Sequence, residues 1–587
     1  MPDNMRPLRD RGRRRIVEWR GGRWGSSSGG TGRRPGGWSV SGEQFNLGRV
    51  FEAVAHTIPD REAIVWGERR LSYRDLQERS RRLASFLHAR GLGAHTERAG
   101  LAGHESGQDH LGIYLHNGNE FIEAMIGSYL ARVGPFNVNY RYVEEELQYL
   151  LTDAGACAVV YHAAFAPVLA GVLPSLPKLE LLLQVADDSG NDLLPGAVDY
   201  EEALASVEPQ LPPVEPSPDD LYILYTGGTT GMPKGVLWRQ HDIFRAAMGG
   251  RTYGTWELVE SYQHLVSRVL PGGEVRVMSI PPLMHGAAQW ASFYYMAMGA
   301  TLVFPDNTRS LDPVDVWRTV ERERVIGISV VGDAMARPVV EELERGEYDT
   351  SSLLAFGSGG AMLSVGIKQR LLDRLPTIMI SDVAGASETG VQMGVASAGT
   401  TVSTGTFVPG PGTVVVSADL ARVLEPGAED VGWLAQRGAV PLGYLGDAPK
   451  TERTFPVIGG ERYSVPGDRA RALADGQIEL LGRDSVTINS GGEKIFAEEV
   501  EQAIIRHPAV ADVVVAGRPS ERWGQEVVAI VQVADGHTVS AEDLVAEAGK
   551  HIARYKLPKA IAFLPHIVRS PAGKADYRWA KERALEA

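Results

Sequence analysis

The chain has 587 residues, enough for several domains with sizeable cores. Its 44% hydrophobic and 22% charged content is that of an ordinary globular protein, and a formal net charge of −14 argues against nucleic acid as the main partner. Cys157 is the only cysteine, which excludes an intramolecular disulfide, argues against a cysteine-based metal site and fits a reducing, cytoplasmic setting.

Residues 1–43 are rich in Arg, Gly and Ser and show no hydrophobic period, the composition of a disordered basic tail. Its first forty residues hold ten arginines against Asp3, Asp10 and Glu18, so the rest of the chain is more acidic than the net charge suggests. The tail lacks the apolar run of a signal peptide and reads as an extension without its own function, or as an overlong start. Order begins near Phe45. Leu47, Val50, Phe51, Val54 and Ala55 mark one helical face, residues 63–66 and 69–72 read as a hairpin, and Ser72 caps a long helix. Residues 97–110 read as a polar inserted loop. Strands at 111–115, 158–161, 181–185 and 221–225, with a helix at 121–130, predict an α/β protein with parallel sheets. The most apolar stretch, 154–176, is broken by His162, Pro167 and Pro174, so no transmembrane helix is expected; peripheral membrane contact stays open.

The proline-rich stretch 208–220 reads as an exposed connection between subdomains. Further strands follow at 275–280, 300–304, 326–331, 353–357 and 377–380, and short β segments fill 413–468. The character shifts at Gly482-Arg483. Residues 44–482 form a large domain and 483–587 a small α+β one. In the latter, helices are predicted at 498–505 and 541–555 and strands at 510–515, 527–533 and 560–564.

One stretch concentrates chemistry: Tyr225-Thr226-Gly227-Gly228-Thr229-Thr230-Gly231-Met232-Pro233-Lys234-Gly235. Glycines let the backbone approach a ligand, successive free N–H groups form an anion nest, the threonines add hydroxyls and Lys234 adds charge. The sum is a phosphate cradle. It is not a Walker A loop, because Pro233 precedes the lysine and no Ser or Thr follows it. The string resembles the phosphate loop of adenylate-forming enzymes, the superfamily of acyl-CoA synthetases, adenylation domains and luciferases, in which serine usually stands at Gly227.

Further stretches resemble the same superfamily in the expected order. Gly357-Ser358-Gly359-Gly360-Ala361 looks like its adenine-pocket turn. Asp382-Val383-Ala384-Gly385-Ala386-Ser387-Glu388-Thr389 matches the segment that touches the α-phosphate and magnesium, with Ala384 where an aromatic often stacks on adenine. The resemblance implies a nucleotide role for Gly359, Gly360, Ala361 and Asp382, phosphate or carboxylate contact for Ser387, and Mg²⁺ binding by Glu388, a hard oxygen ligand. Val465-Pro466-Gly467-Asp468 implies that Asp468 accepts both ribose hydroxyls. The segment from Gly482 to Ile495 resembles the interdomain hinge at 483–486, with Arg483 as a fork donor, Ser485 at the hinge position itself, and Gly491 and Gly492 lining the thiol-substrate tunnel. Ser570-Pro571-Ala572-Gly573-Lys574 resembles the C-terminal lysine motif. For the acyl pocket, Pro281-Pro282-Leu283-Met284-His285-Gly286 and the stretch from Val330 through Gly332 to Pro338 match substrate segments, with His285 either gating the carboxylate or sitting as a satisfied core histidine.

The longer strings resemble the actinobacterial fatty-acyl-CoA synthetases that include the steroid side-chain CoA ligases. The implied activity is ATP-dependent formation of an acyl-adenylate from a medium- or long-chain fatty acid or a steroid side-chain acid, then of its coenzyme A thioester. Thr226, Ser387, Glu388 and Lys574 are implied at the reacting centre. The alternative is a free-standing enzyme that loads a carrier protein. Oligomeric state is not legible.

Overall fold

The protein is described here by a computed structural model of residues 42–227, 232–269, 275–360, 363, 365–397, 406–483, 487–534, 536–568 and 577–587. Three sheets organise it. The first has eight strands in the spatial order Gly443–Tyr444, Pro233–Arg239, Leu221–Gly227, Gly134–Asn137, His110–Tyr114, Ala156–His162, Leu181–Val185 and Val198–Asp199. From Leu221–Gly227 onward this sheet is parallel. The second has fifteen strands. Inside the antiparallel edge strand Arg69–Ser72 it is a parallel α/β sheet through Glu62–Trp66, Thr301–Phe304, Arg276–Ser279, Gly327–Val330, Ala355–Gly359 and Met379–Ala386. It then turns antiparallel through Gly390–Ser397 and Thr406–Pro409 into the β-rich segment. The third sheet, of five strands, belongs to the small C-terminal domain.

A helical layer lies between the first two sheets. The face predicted from Leu47, Val50, Phe51 and Val54 is buried there, on a helix capped by Asn46. Asn119–Leu130 is buried on every side, as expected for a helix with no polar face. Its two buried acids are both paired: Glu120 with Arg69 (2.5 Å), and Glu123 with Arg79 (2.7 Å) and the Tyr200 hydroxyl (2.9 Å). Outer helices cover the far faces of both sheets, giving a layered α/β large domain. The predicted hairpin is present, and Ser72 caps Tyr73–Ala89 in a capping box with Asp75.

Two expectations change. The helix predicted over 541–555 is Ala541–Ala548, ending at Gly549; a separate turn, Arg554–Lys556, then brings Lys556 to the domain interface. The strand predicted at 377–380 runs from Met379 to Ala386, because Asp382–Ala386 stays paired to the strand Gly390–Ser397. Among the described residues, no helix is long and apolar enough to cross a membrane.

Candidate active site

The motifs converge because each starts where a parallel strand ends. Thr226 ends Leu221–Gly227, the Pro281–His285 loop follows Arg276–Ser279, Gly359 ends Ala355–Gly359, and Ser387-Glu388 follows Met379–Ala386. The carboxyl ends of parallel strands are the place where open α/β sheets bind ligands. A cavity of about 900 Å³ opens there; Thr226, His285, Gly359, Gly360, Ser387 and Glu388 line it, together with Gly492 from the small domain. One arm is apolar, walled by Tyr253, Trp256, Trp290, Tyr294, Tyr295 and Met298. Tyr253 stacks on Tyr294 at 4.2 Å.

The phosphate loop is the tip of an antiparallel hairpin in which Thr226 pairs with Lys234 and Tyr225 with Gly235. A Cβ at Gly235 would lie 2.8 Å from the Tyr225 ring, so the hairpin needs glycine there. Gly228, Thr229, Thr230 and Gly231 lie outside the described residues. The Lys234 ammonium stands 3.8 Å from both Asp153 and Asp447. Burial pushes its pKa down, but Asp153, Tyr149 and Asp447 outweigh this and hold it above the ordinary lysine value. The Tyr225 hydroxyl donates to Asp153 (2.8 Å), fixing that carboxylate.

The turn carrying Ser387 and Glu388 is tied from four directions. Gly390 takes φ +71°, where a Cβ would strike Ala246 at 2.7 Å. The Ala386 N–H donates to Thr389 (2.9 Å), Trp238 Nε1 donates to the Ser387 carbonyl (2.8 Å), and Ser464 donates to the Glu388 carbonyl (2.5 Å). The Tyr444 hydroxyl donates to Glu388 Oε1 (2.8 Å). The Lys450 ammonium lies 4.1 Å above the Tyr444 ring; burial lowers its pKa, against the pull of Glu388 and Asp447. A half-buried carboxylate oriented by one hydroxyl donor fits a magnesium site, which takes one or two carboxylates and completes its shell with phosphate and water oxygens.

The adenine-pocket turn is pinned from both sides. The Gly332 N–H donates to Ser358 (2.9 Å), and the Leu363 N–H donates to Asp382 (3.0 Å). The Lys368 ammonium meets the other Asp382 oxygen at 2.5 Å, both side chains being buried. At Asp382 and Gly332 the polar contacts are internal. Asp382 borders the cavity, but its carboxylate is committed to Lys368 and Leu363, as a buried charge must be paired. Gly332 is a backbone support for Ser358 and is absent from the described lining. Ala384 packs against the antiparallel β core. Ala361 lies outside the described residues.

Two buried asparagines hold the Pro281–His285 loop. Asn117 donates to the Pro281 carbonyl (3.0 Å) and accepts from the Leu283 N–H (2.6 Å). Asn137 donates to the carbonyls of Met284 (2.6 Å) and Tyr225 (2.9 Å), joining this loop to the phosphate-loop strand. His285 ends the loop and precedes the helix Gly286–Ala297, but its imidazole does not cap that helix. Its Nε2 instead meets Glu493 of the small domain at 3.1 Å. Arg141 binds the same Glu493 oxygen. Burial alone would raise the Glu493 pKa; His285, Arg141 and Lys556 reverse that and hold it at about 2. Gly492, at φ +82°, approaches so closely that a Cβ would lie 3.0 Å from Val331.

The rest of the domain seam is polar and largely ionic. Lys556 is buried between Glu146 and Glu499, 2.6 Å from each. Arg506 and His551 meet Glu145 at 2.8 and 2.6 Å, and Asn139 donates to the Tyr555 hydroxyl (3.2 Å). Asp468 pairs in register with Arg483 on the neighbouring strand. Asp468, Lys234 and Gly491 are not among the described cavity lining. Gly491, at φ +61°, donates its N–H to the Trp523 carbonyl (2.9 Å). The Arg483 side chain, hinge residues 484–486 with Ser485, and Lys574 lie outside the described residues.

Sequence reasoning missed Tyr444, Asp153, Asp447, Asn117, Asn137 and the seam acids. Asn137 carried a readable signal, being amide-bearing within an otherwise buried strand.

The model of the family described as AMP-binding enzyme matches residues 51–445, and that described as AMP-binding enzyme C-terminal domain matches 499–574. A curated relative from Mycobacterium avium, named medium-chain acyl-CoA ligase Mig, is 61% identical over 92% of this chain and 98% of its own length. A 3-oxocholest-4-en-26-oate–CoA ligase from Rhodococcus rhodochrous is 41% identical over 92% of this chain and 96% of its own. Among solved structures, the amide bond synthetase McbA from Marinactinospora thermotolerans shares the fold at TM-score 0.73 and 21% identity, covering 91% of this chain and 99% of that one.

Proposed function

The chain belongs to the AMP-binding enzyme family, and from that premise we propose that it is an AMP-forming acyl-CoA synthetase acting on an apolar carboxylic acid. The observation that carries this reading is the cavity in which an apolar aromatic arm meets Thr226, Gly359, Gly360, Ser387 and Glu388. The arm suits a medium- or long-chain fatty acid or a steroid side-chain acid, and the names of the relatives at 61% and 41% identity agree with that class. ATP and coenzyme A are the co-substrates, and the reaction is assigned to the cytoplasm.

In the first step a carboxylate oxygen attacks the α-phosphorus of ATP and pyrophosphate leaves. The chain's part is positioning and charge neutralisation. The phosphate loop with Lys234 holds the departing phosphates, Ser387 orients the reacting oxygens, and Asp468 with Arg483 takes the ribose side. Glu388, oriented by Tyr444, would hold magnesium, which supplies charge neutralisation on the triphosphate. Lys574 is assigned to the reacting centre of this step. We divide the chain at residues 44–482 and 483–587, and the small domain turns about 483–486 between the steps. With Gly492 and Glu493 facing the cavity, the arrangement described here is the one we assign to thioester formation.

The test is pyrophosphate release across a panel of fatty and steroid side-chain acids, with and without coenzyme A. Acid-dependent release with thioester product is expected. Release that yields thioester only on a phosphopantetheinyl carrier would move the assignment to carrier loading, and no acid-dependent release would refute it.

A further inference from the structure

The Glu493–His285 contact joins two domains inside the cavity, and the sequence motifs give Glu493 no role. A carboxylate can only accept, so the 3.1 Å contact requires His285 Nε2 to carry the hydrogen. The neutral imidazole is thereby fixed in the tautomer whose Nδ1 is an acceptor. Among the described residues Nδ1 has no hydrogen-bond partner, and the imidazole does not cap the helix that follows it. His285 is about one-third exposed and lines the cavity beside Glu493 and Gly492. Glu493 is itself buried and fixed by Arg141, so the pair is a held carboxylate behind an imidazole with one open nitrogen. That is the arrangement that makes an imidazole a general base and stabilises the imidazolium it becomes.

We propose that His285, oriented by Glu493, is the general base that deprotonates the coenzyme A thiol in the second half-reaction. This rests on the acyl-CoA synthetase reading above. The thiol S–H proton passes to His285 Nδ1, and the sulfur pair forms a C–S bond to the acyl carbon of the acyl-adenylate. The bond between that carbon and the phosphate oxygen breaks, and AMP leaves with its electron pair. The imidazolium pairs with Glu493 until its proton passes to solvent. The base is complete only when the small domain brings Glu493 to His285, so it exists in the thioester-forming arrangement alone. Around the pair stand Arg141 from the large domain and Glu499, Tyr555 and Lys556 from the small one. The titration seen in kinetics therefore belongs to this cluster.

The test is single-turnover thioester formation from supplied acyl-adenylate and coenzyme A, followed from pH 6 to 9.5. For His285→Gln a loss on the order of 100-fold or more is expected at pH 7, the usual contribution of a general base. The deficit should shrink by about tenfold per pH unit as the thiol approaches its own ionisation near ~8.5. Glu493→Gln, which keeps a hydrogen-bond acceptor but removes the charge, should lose about tenfold and narrow in the same way. A deficit that stays constant across the range, or none, overturns the proposal, because a steric or docking role does not follow thiol ionisation. If His285→Gln does not fold, the Glu493→Gln profile decides alone. Wild-type chain that forms no thioester from acyl-adenylate refutes the parent reading instead, whatever the variants do.

Discussion

The two walls of the cavity are built by opposite means. The apolar arm comes from the large domain alone: Tyr253 lies flat on Tyr294 at 4.2 Å, with Trp256, Tyr295 and Met298 around them. The domain seam is made of ions that pair across it. Lys556 sits at 2.6 Å from Glu146 across the seam, and Glu493 reaches Arg141 and His285. Dispersion and burial are non-directional, so an apolar wall can change shape by a methylene and still be a wall. Buried charge is directional and leaves an uncompensated partner when one side is lost. Substrate range therefore lies where substitution is tolerated, and domain position lies where it is not.

The strongest break of this contrast is Lys556→Met. It leaves Glu146 and Glu499 facing each other in a buried seam, and about 3–5 kcal/mol of stability should be lost, read as a lowered denaturant midpoint. Adding Glu146→Gln and Glu499→Gln should recover most of that loss; no recovery would show that the ions do not hold the seam.

Gly492→Ala comes next. At φ +82° an L side chain costs about 1–2 kcal/mol, and its Cβ would crowd Val331 at 3.0 Å, so thioester formation from acyl-adenylate should slow by roughly tenfold. Combining it with Val331→Ala should relieve only the contact, and full rescue would locate the effect in crowding alone.

Acid should then loosen the seam gradually. Glu493 is held at about 2 against its ordinary 4.5, so the docked arrangement binds that proton more weakly than the free small domain. Docking from this group is complete above 4.5 and is lost as pH falls toward 2, which interdomain distance by fluorescence transfer would follow. Glu493→Gln should flatten that slope. The smallest effect is expected in the arm. Tyr253→Leu should move the preferred acid to longer chains, each newly buried methylene being worth about 0.8 kcal/mol, or roughly fourfold in kcat/KM. An unchanged chain-length profile would take Tyr253 out of the wall.

The same contrast explains what was legible in the sequence. The Ser72 cap, the hairpin expected at 63–66 and 69–72 and the strand leading into the phosphate loop are local, each signalled within a dozen residues. The seam is not: Lys556 meets partners 410 and 57 residues away, and nothing near it in the chain marks it as buried. The helix predicted to run through Tyr555 failed for that reason, since its apolar spacing continues while tertiary pairing turns the chain. Asp382 is a different case. The resemblance located the segment, but a motif aspartate reads the same whether it faces a nucleotide or a buried lysine such as Lys368. Tyr444, from the β-rich stretch, supports Glu388 from 56 residues away.

Lys368 and Asp382 also set terms for divergence. Either one changed alone breaks this buried ion pair from one side, whereas both changed to apolar residues of matching volume remove it. The two positions are therefore a single evolutionary character, able to pass from ionic to apolar only through an intermediate that selection removes. Related chains should carry both or neither. A chain with neither should still pin its adenine-pocket turn from the Ser358 side, where the anchor is a backbone N–H and needs no particular side chain at 332.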